Sequence, residues 1–252
     1  MEKFFKPESI AVFGVSDAPR NLARIIIENL ITFKYAGRIY PIGNTDGCVF
    51  DKKIFSSLSD IDEVPDLAVL LIPAFAIPDA LKACGEKGIK HVIIESGGFT
   101  EFDDGRHDLE DQILHWADVF NIKIIGPNCF GVINRALGVA LPFFIINPEY
   151  IRPGKVSLIS QSGGIFYDTC MLCSCENIGL NKLISIGNKL LTHENDALEY
   201  IISDSGTNVI GLYLENFSDA RGLMDLACAT QKPIILLKAN RSPAGEEIAR
   251  FH

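Results

Sequence analysis

Five short runs, SIAVFG (9–14), GRIYPIG (37–43), LAVLLIP (67–73), HVIIES (91–96) and IKIIGP (122–127), are apolar and rich in β-branched residues almost from end to end. A strand with one wet face alternates polar and apolar residues, whereas an uninterrupted apolar strand must be covered on both faces. The stretches between them, residues 23–33, 77–88 and 108–120, carry apolar residues at helical spacing. Strand and helix in alternation give a parallel sheet with helices on both sides. Residues 1–130 are therefore expected to form a Rossmann-like α/β domain.

The rhythm breaks over residues 131–153, which contain Pro142, Pro148 and Pro153 and read as a linker. It restarts with strand candidates at 155–160, 182–187, 209–215 and 233–239, separated by helices over 164–176 and around 195–203 and 219–229. Residues 154–252 thus read as a second parallel α/β domain, flavodoxin-like in rhythm. It closes on SPAGEEIARFH, where a helix begins without room to finish, so this domain is expected to be cut short at its C-terminal end.

A formal net charge of −9 and a pI near 5.1 argue against a nucleic-acid or anionic-membrane surface. No window approaches an uninterrupted apolar span, and the start, MEKFFKPESIAVFG, lacks a signal-peptide pattern. The seven cysteines are odd in number and scattered, which fits a reducing cytoplasm better than a disulfide framework. Cys170, Cys173 and Cys175 have metal-like spacing but no partner cluster, so core packing is expected and no metal.

Two junctions carry the chemistry. The first strand candidate leaves through Gly14, Val15 and Ser16 into a helix beginning near Asn21, the geometry of an anion cradle. The match to a dinucleotide fingerprint is poor, because Ala23 stands where its third glycine would be. The second strand candidate runs out to Asn44 rather than to the acidic residue that a ribose would require, which lowers the case for NAD. Arg20 and Arg24 could pair with an extra phosphate, as coenzyme A or NADP would need. Pro73–Ala74, Gly97–Gly98 and Asn128–Cys129 fall at the ends of later strands, where open sheets bind ligands.

The second junction, ISQSGGIFYD (159–168), leaves a buried strand through two serines and two glycines. Bare N–H groups and hydroxyls at the start of a helix suit a negatively charged group such as phosphate. Ser160, Ser162, Gly163 and Gly164 are the candidates.

Read in order, FFKPESIAVFGVS, GRIYP, LAVLLIPA, IIESGGF, IIGPNCFGVIN, LISQSGG, LISIGNK, LYLENFSDAR and KANRSPAGEEIARFH resemble the NDP-forming acyl-CoA synthetase superfamily. The likeness is to the α subunit or N-terminal half of ADP-forming acetate–CoA ligase and succinyl-CoA synthetase, and it covers the whole chain. It implies a CoA-binding domain followed by a ligase domain. It further implies interconversion of acyl-CoA, ADP and phosphate with carboxylic acid, ATP and CoA, through acyl phosphate and a phosphohistidine.

On this resemblance, His252 is the phosphorylated histidine and Glu215 its carboxylate partner. Ser160, Gln161, Ser162, Gly163 and Gly164 hold the phosphoryl group, and Tyr167 lies near the acyl carboxylate. Coenzyme A is expected at Gly14, Val15, Ser16, Pro19, Arg20, Asn44, Pro73, Ala74, Glu95, Ser96, Gly97 and Asn128. ATP or ADP with Mg²⁺ would sit on an ATP-grasp domain or β-type subunit, which the sequence lacks. The family's first loop usually reads close to G-A-S-x-x-P-G-K-x-G; here Arg20 and Asn21 replace the glycine–lysine pair and Ala23 the last glycine. Two other readings remain open at this stage, a CoA-sensing regulatory module without ligase chemistry and an NAD(P)-dependent oxidoreductase.

Overall fold

The computed structural model describes residues 1–99, 107–240 and 242. A short helix α1 (Glu2–Phe5) precedes β1 (Ser9–Phe13), α2 (Leu22–Thr32) and β2 (Arg38–Ile42). A small hairpin of β3 (Cys48–Val49) and β4 (Lys52–Lys53) follows, then β5 (Leu67–Leu70), α3 (Ile77–Lys87), β6 (His91–Ile94), α4 (His107–Phe120) and β7 (Lys123–Ile125). The first sheet is parallel with order β2-β1-β5-β6-β7. All five residues of β1 and all four of β5 are buried, as their unbroken apolar sequences require. Pro41, which cannot donate to a ladder, is tolerated because β2 is the sheet edge.

Residues 131–153, expected to be a linker, are part of the second sheet. They supply β8 (Val132–Asn134) and β9 (Val139–Ala140), and β8 pairs antiparallel with a later strand. Strands of three and two residues are too short to leave a period in the sequence, and Gly138 and Pro142 mask them further. Then come β10 (Pro153–Ser160), α5 (Gly163–Cys175), β11 (Leu180–Ser185), α6 (Glu194–Ser203), β12 (Val209–Leu214), α7 (Ala220–Ala229) and β13 (Ile234–Lys238). The sheet order is β13-β12-β10-β11-β8-β9. Its four long strands are parallel and flavodoxin-like, with the β8–β9 pair added at one edge.

The two sheets share a core. Ile10, Val12 and Leu30 from the first unit lie in one buried cluster with Ile159, Ile184 and Leu214 from the second. Buried Asn29 pins the crossing segment: its Nδ2 donates to the carbonyls of Pro142 and Phe144, both at 2.8 Å, and its Oδ1 accepts from Ile146 N. Phe5 stacks on Tyr200 with ring centroids 5.0 Å apart. Each sheet reverses its winding beside its first long strand, β1 or β10, and at such switch points the carboxyl ends of strands open a crevice. The shared core fixes the two crevices in one body.

Candidate functional site

The first crevice, about 720 Å³, opens between the ends of β1, β2 and β5. Glycine makes it possible. Gly14 has φ +87°, and a Cβ there would lie 2.2 Å from the Leu71 carbonyl oxygen. Gly43 is equally tight, its Cβ position lying 1.9 Å from the Val15 carbonyl oxygen. Of the expected residues, Gly14, Val15, Ser16, Asn44 and Pro73 line this cavity. Ser56, Ser57 and Phe75 line it too and escaped sequence reasoning; the serines lie on a loop after β4, far along the chain from any glycine motif. An adjoining cleft of about 370 Å³ is bordered by Arg20, Pro73 and Ser96 and by the first residues of α2.

Asn21, which replaces a lysine of the family's loop, has become the N-cap of α2. Its Oδ1 accepts from Arg24 N and its Nδ2 donates to the Gly14 carbonyl, each at 2.8 Å. Arg24 instead lies over the Phe50 ring at 4.4 Å. Among the described residues that border the cleft, Arg20 is the one cation, and it is exposed.

Several expected residues stand elsewhere. Pro19 and Ala74 flank the cavity without lining it. Ser96 borders the adjoining cleft, but its hydroxyl is spent on the backbone that follows β5, accepting from Ile72 N at 3.1 Å and donating to the Ile72 carbonyl at 2.6 Å. Glu95 is 2% exposed, and among the described residues neither carboxyl oxygen has a hydrogen-bond partner. It lies under the loop that follows β7, so close that a Cβ on Gly131 would meet its Oε1 at 2.5 Å. Burial pushes its carboxyl well above the usual carboxylate range. Cys129 beside it is a buried thiol, raised first by burial and then by Glu95, with its Sγ 3.4 Å from the Ile94 carbonyl; it is no activated nucleophile. Cys170 and Cys173 are core residues and Cys175 is exposed, all as free thiols.

The second crevice, about 200 Å³, lies where β10 leads into α5. It gathers Gln161, Ser162, Gly163, Gly164 and Glu215, and also Asn128, which was expected at the first site. The loop after β7 swings away from its own sheet: Gly187 (φ +56°) admits it so closely that a Cβ would sit 2.2 Å from the Pro127 carbonyl oxygen. Asn128 then donates to Asn188 Oδ1 at 3.3 Å. Gly187, Asn188 and Phe130 are further lining residues that sequence reasoning did not assign; the ISIGNK turn was the available signal.

Ser162 caps α5, its Oγ accepting from Ile165 N at 3.5 Å, so the N–H groups of Gly163 and Gly164 have no partner within the helix. Ser160 is fully buried beneath, donating to the Ser162 carbonyl at 2.7 Å, and shapes the turn instead of lining the cavity. Gln161 fastens the loop after β12: its Oε1 accepts from Glu215 N at 2.9 Å and Asn216 N at 3.3 Å. A buried ion pair holds the same loop from below. Lys189 Nζ meets Glu194 Oε2 at 2.9 Å and the Asn216 carbonyl at 3.1 Å, while Glu194 Oε1 accepts from Ser218 N. Tyr167 stands outside the cavity lining, 41% exposed, edge-on to Phe144 at 5.0 Å. His252, the expected phosphohistidine, lies outside the described residues.

The comparisons with known proteins follow the same division. Residues 8–135 match a CoA binding domain and residues 153–252 a succinyl-CoA ligase like flavodoxin domain. The chain belongs to the NDP-forming acyl-CoA synthetase superfamily. It is 37% identical to an ADP-forming acetate–CoA ligase of Methanocaldococcus jannaschii over 98% of this chain and 34% of that protein. It is 35% identical to the α subunit of ADP-forming acetate–CoA ligase I of Pyrococcus furiosus, over 100% of this chain and 55% of that subunit. Among solved structures, dinucleotide forming acetyl-coenzyme A synthetase 1 of Ca. Korarchaeum cryptofilum, in complex with phosphate and ADP, superposes with a TM-score of 0.91 at 30% identity. That match covers 99% of this chain and 54% of the other. The chain thus spans between about a third and about half of the length of these superfamily relatives.

Proposed function

We propose that this chain forms the CoA-binding and acyl-transfer portion of an ADP-forming acid–CoA ligase. One observation carries the reading: the open N-terminus of α5 and the Glu215 carboxylate border one small cavity. A helix N-terminus favours an anion, with about 0.3–2 kcal/mol from the dipole. A carboxylate across from it repels that anion unless a protonated nitrogen lies between them. A histidine fits both demands, since one imidazole nitrogen takes the phosphoryl group while the other donates to the carboxylate. His252 is the residue we assign to this position, with Gln161 and the buried Lys189–Glu194 pair holding Glu215 in place.

The first crevice suits CoA, which when bound would supply the thiol that takes the acyl group as a thioester. Its volume lies within the range of about 300–1,000 Å³ typical of ligand clefts, and the first-turn N–H groups of Leu22 and Ala23 in α2 and the Arg20 guanidinium are the donors we assign to phosphates. The acid is a small carboxylate, and ADP with Mg²⁺ belongs to an ATP-grasp partner domain or subunit. The test uses the full-length protein carrying this chain, with that partner and radiolabelled ATP. An acid-labile label is expected, absent in His252→Ala and reduced in Glu215→Ala. Label surviving His252→Ala overturns the assignment.

A further inference from the structure

The phosphoryl cavity has a wall that the chemistry above does not use. Around it stand three glycines, two asparagines, a glutamine, a serine and Glu215; among the described residues that line it, Phe130 alone presents an apolar side chain. We propose that Phe130 is the acyl-contact residue and that it limits the carboxylic acid to a short alkyl chain. This rests on reading the cavity as the site of an acyl phosphate.

The ring is placed against the donors that would hold the phosphoryl group. A Cβ on Gly163, the first residue of α5, would meet three ring carbons of Phe130 at 3.0–3.1 Å. A phosphoryl group on the helix N-terminus therefore projects its organic substituent past polar groups on every side but one, and the apolar side is this ring. Burying an alkyl group against it is favourable; burying one against Asn188 or Gln161 would strip hydrogen bonds from the amides.

The ring is also hard to displace. Phe143 meets it edge-on with centroids 4.9 Å apart, Phe144 at 5.0 Å and Phe166 at 6.4 Å. Edge-to-face contacts of this kind add to the area that each ring buries. Phe166 is fully buried, so the cluster is anchored in the core of the second unit. With the ring fixed, the cavity holds about 200 Å³, below the range of about 300–1,000 Å³ for clefts that enclose drug-sized ligands. That leaves space for a phosphoryl group and a few carbon atoms. An aryl or long acyl chain would need the volume that Phe130 occupies, and behind it lie further aromatic faces able to receive one.

The test is binding to the 252-residue chain of three probes: inorganic phosphate, 2-oxopropylphosphonate and 2-oxo-2-phenylethylphosphonate. The two phosphonates are stable mimics of acyl phosphates with a methyl and a phenyl end. The wild-type chain is expected to prefer the methyl mimic, and Phe130→Ala to move the methyl-to-phenyl ratio toward phenyl by about 10–200-fold, the discrimination that apolar pockets achieve by size. Phosphate titration of each variant shows that the helix N-terminus still takes the anion, and the ratio between the two mimics is read against it. Phe130→Leu, which disturbs the cluster less, shifts the ratio in the same direction by a smaller factor and serves if the alanine variant does not fold. Unchanged phosphate binding with an unchanged ratio in both variants overturns the role of Phe130 alone. Absence of binding by phosphate and both mimics to the wild-type chain removes the phosphoryl reading, and this proposal with it.

Discussion

Gln161 Oε1 accepts hydrogen bonds from the backbone N–H groups of Glu215 at 2.9 Å and Asn216 at 3.3 Å, so the residue that opens the phosphoryl turn also sets the position of the carboxylate facing it. The same amide donates from Nε2 to Asn216 Oδ1 at 3.3 Å. Both polar ends are occupied, and the side chain is largely buried. Gln161→Ala leaves two N–H groups unpaired, which costs about 1–3 kcal/mol. Urea unfolding measures that loss. Phosphate titration of the folded variant should show binding that is no weaker, because the released Glu215 carboxylate repels the anion less.

The Lys189–Glu194 pair should behave as a buried pair does. Burial alone would raise the Glu194 carboxyl, but the Lys189 ammonium and backbone N–H donors outweigh it and hold the group below its ordinary value. Lys189→Met strands a carboxylate and should cost about 3–5 kcal/mol. The double variant Lys189→Met, Glu194→Leu should cost less than the sum of the two single changes. Because the folded-state pKa is depressed, the pair's contribution is present above the unfolded carboxylate range and lost as pH falls through the folded value. Stability curves of wild type and double variant should converge in acid.

Glu95 should give the opposite slope. Burial raises its carboxyl well above the usual carboxylate range, so between the unfolded and the folded value the folded state holds a proton that the unfolded state has released. Its contribution is greatest below the unfolded pKa and declines as pH rises toward the folded value. Glu95→Gln removes the titration. The difference in unfolding free energy, variant minus wild type, should therefore become more positive from acid to neutral pH, as guanidinium unfolding at several pH values will measure. A constant difference would place the ionised form in the fold.

Arg20 is exposed beside the capped start of α2, while Arg24 is engaged with Phe50. Arg20→Ala should weaken CoA binding by about 10–100-fold, as expected for loss of a hydrogen bond to a charged group worth about 1.5–3 kcal/mol. The loss should shrink at high salt, since exposed charges are screened. Calorimetry at two ionic strengths measures both effects.

What the sequence made legible was whatever depends on local pattern. Continuous apolar runs gave the parallel strands β1, β5, β10 and β11, and the glycines at 14, 163 and 164 marked both crevices. The β8–β9 pair was hidden because two or three residues cannot display a period. The resemblance implies Glu95 and Asn128 at the CoA site, yet a motif at a strand end does not reveal which way a side chain turns. Glu95 turns inward beneath Gly131, and Asn128 is carried across to Asn188 by a loop that leaves its own sheet. Phe130, Gly187 and Asn188 become site residues only through that crossing, which is a contact between the two units and leaves no local trace in the sequence.

The central claim is that the crevice at β1, β2 and β5 evolved for CoA. Calorimetric titration of the 252-residue chain with CoA and, separately, with NADH tests it most directly. Saturable binding of CoA, weakened by Arg20→Ala, with no saturable binding of NADH, is the predicted result. Saturable NADH binding without CoA binding would contradict it.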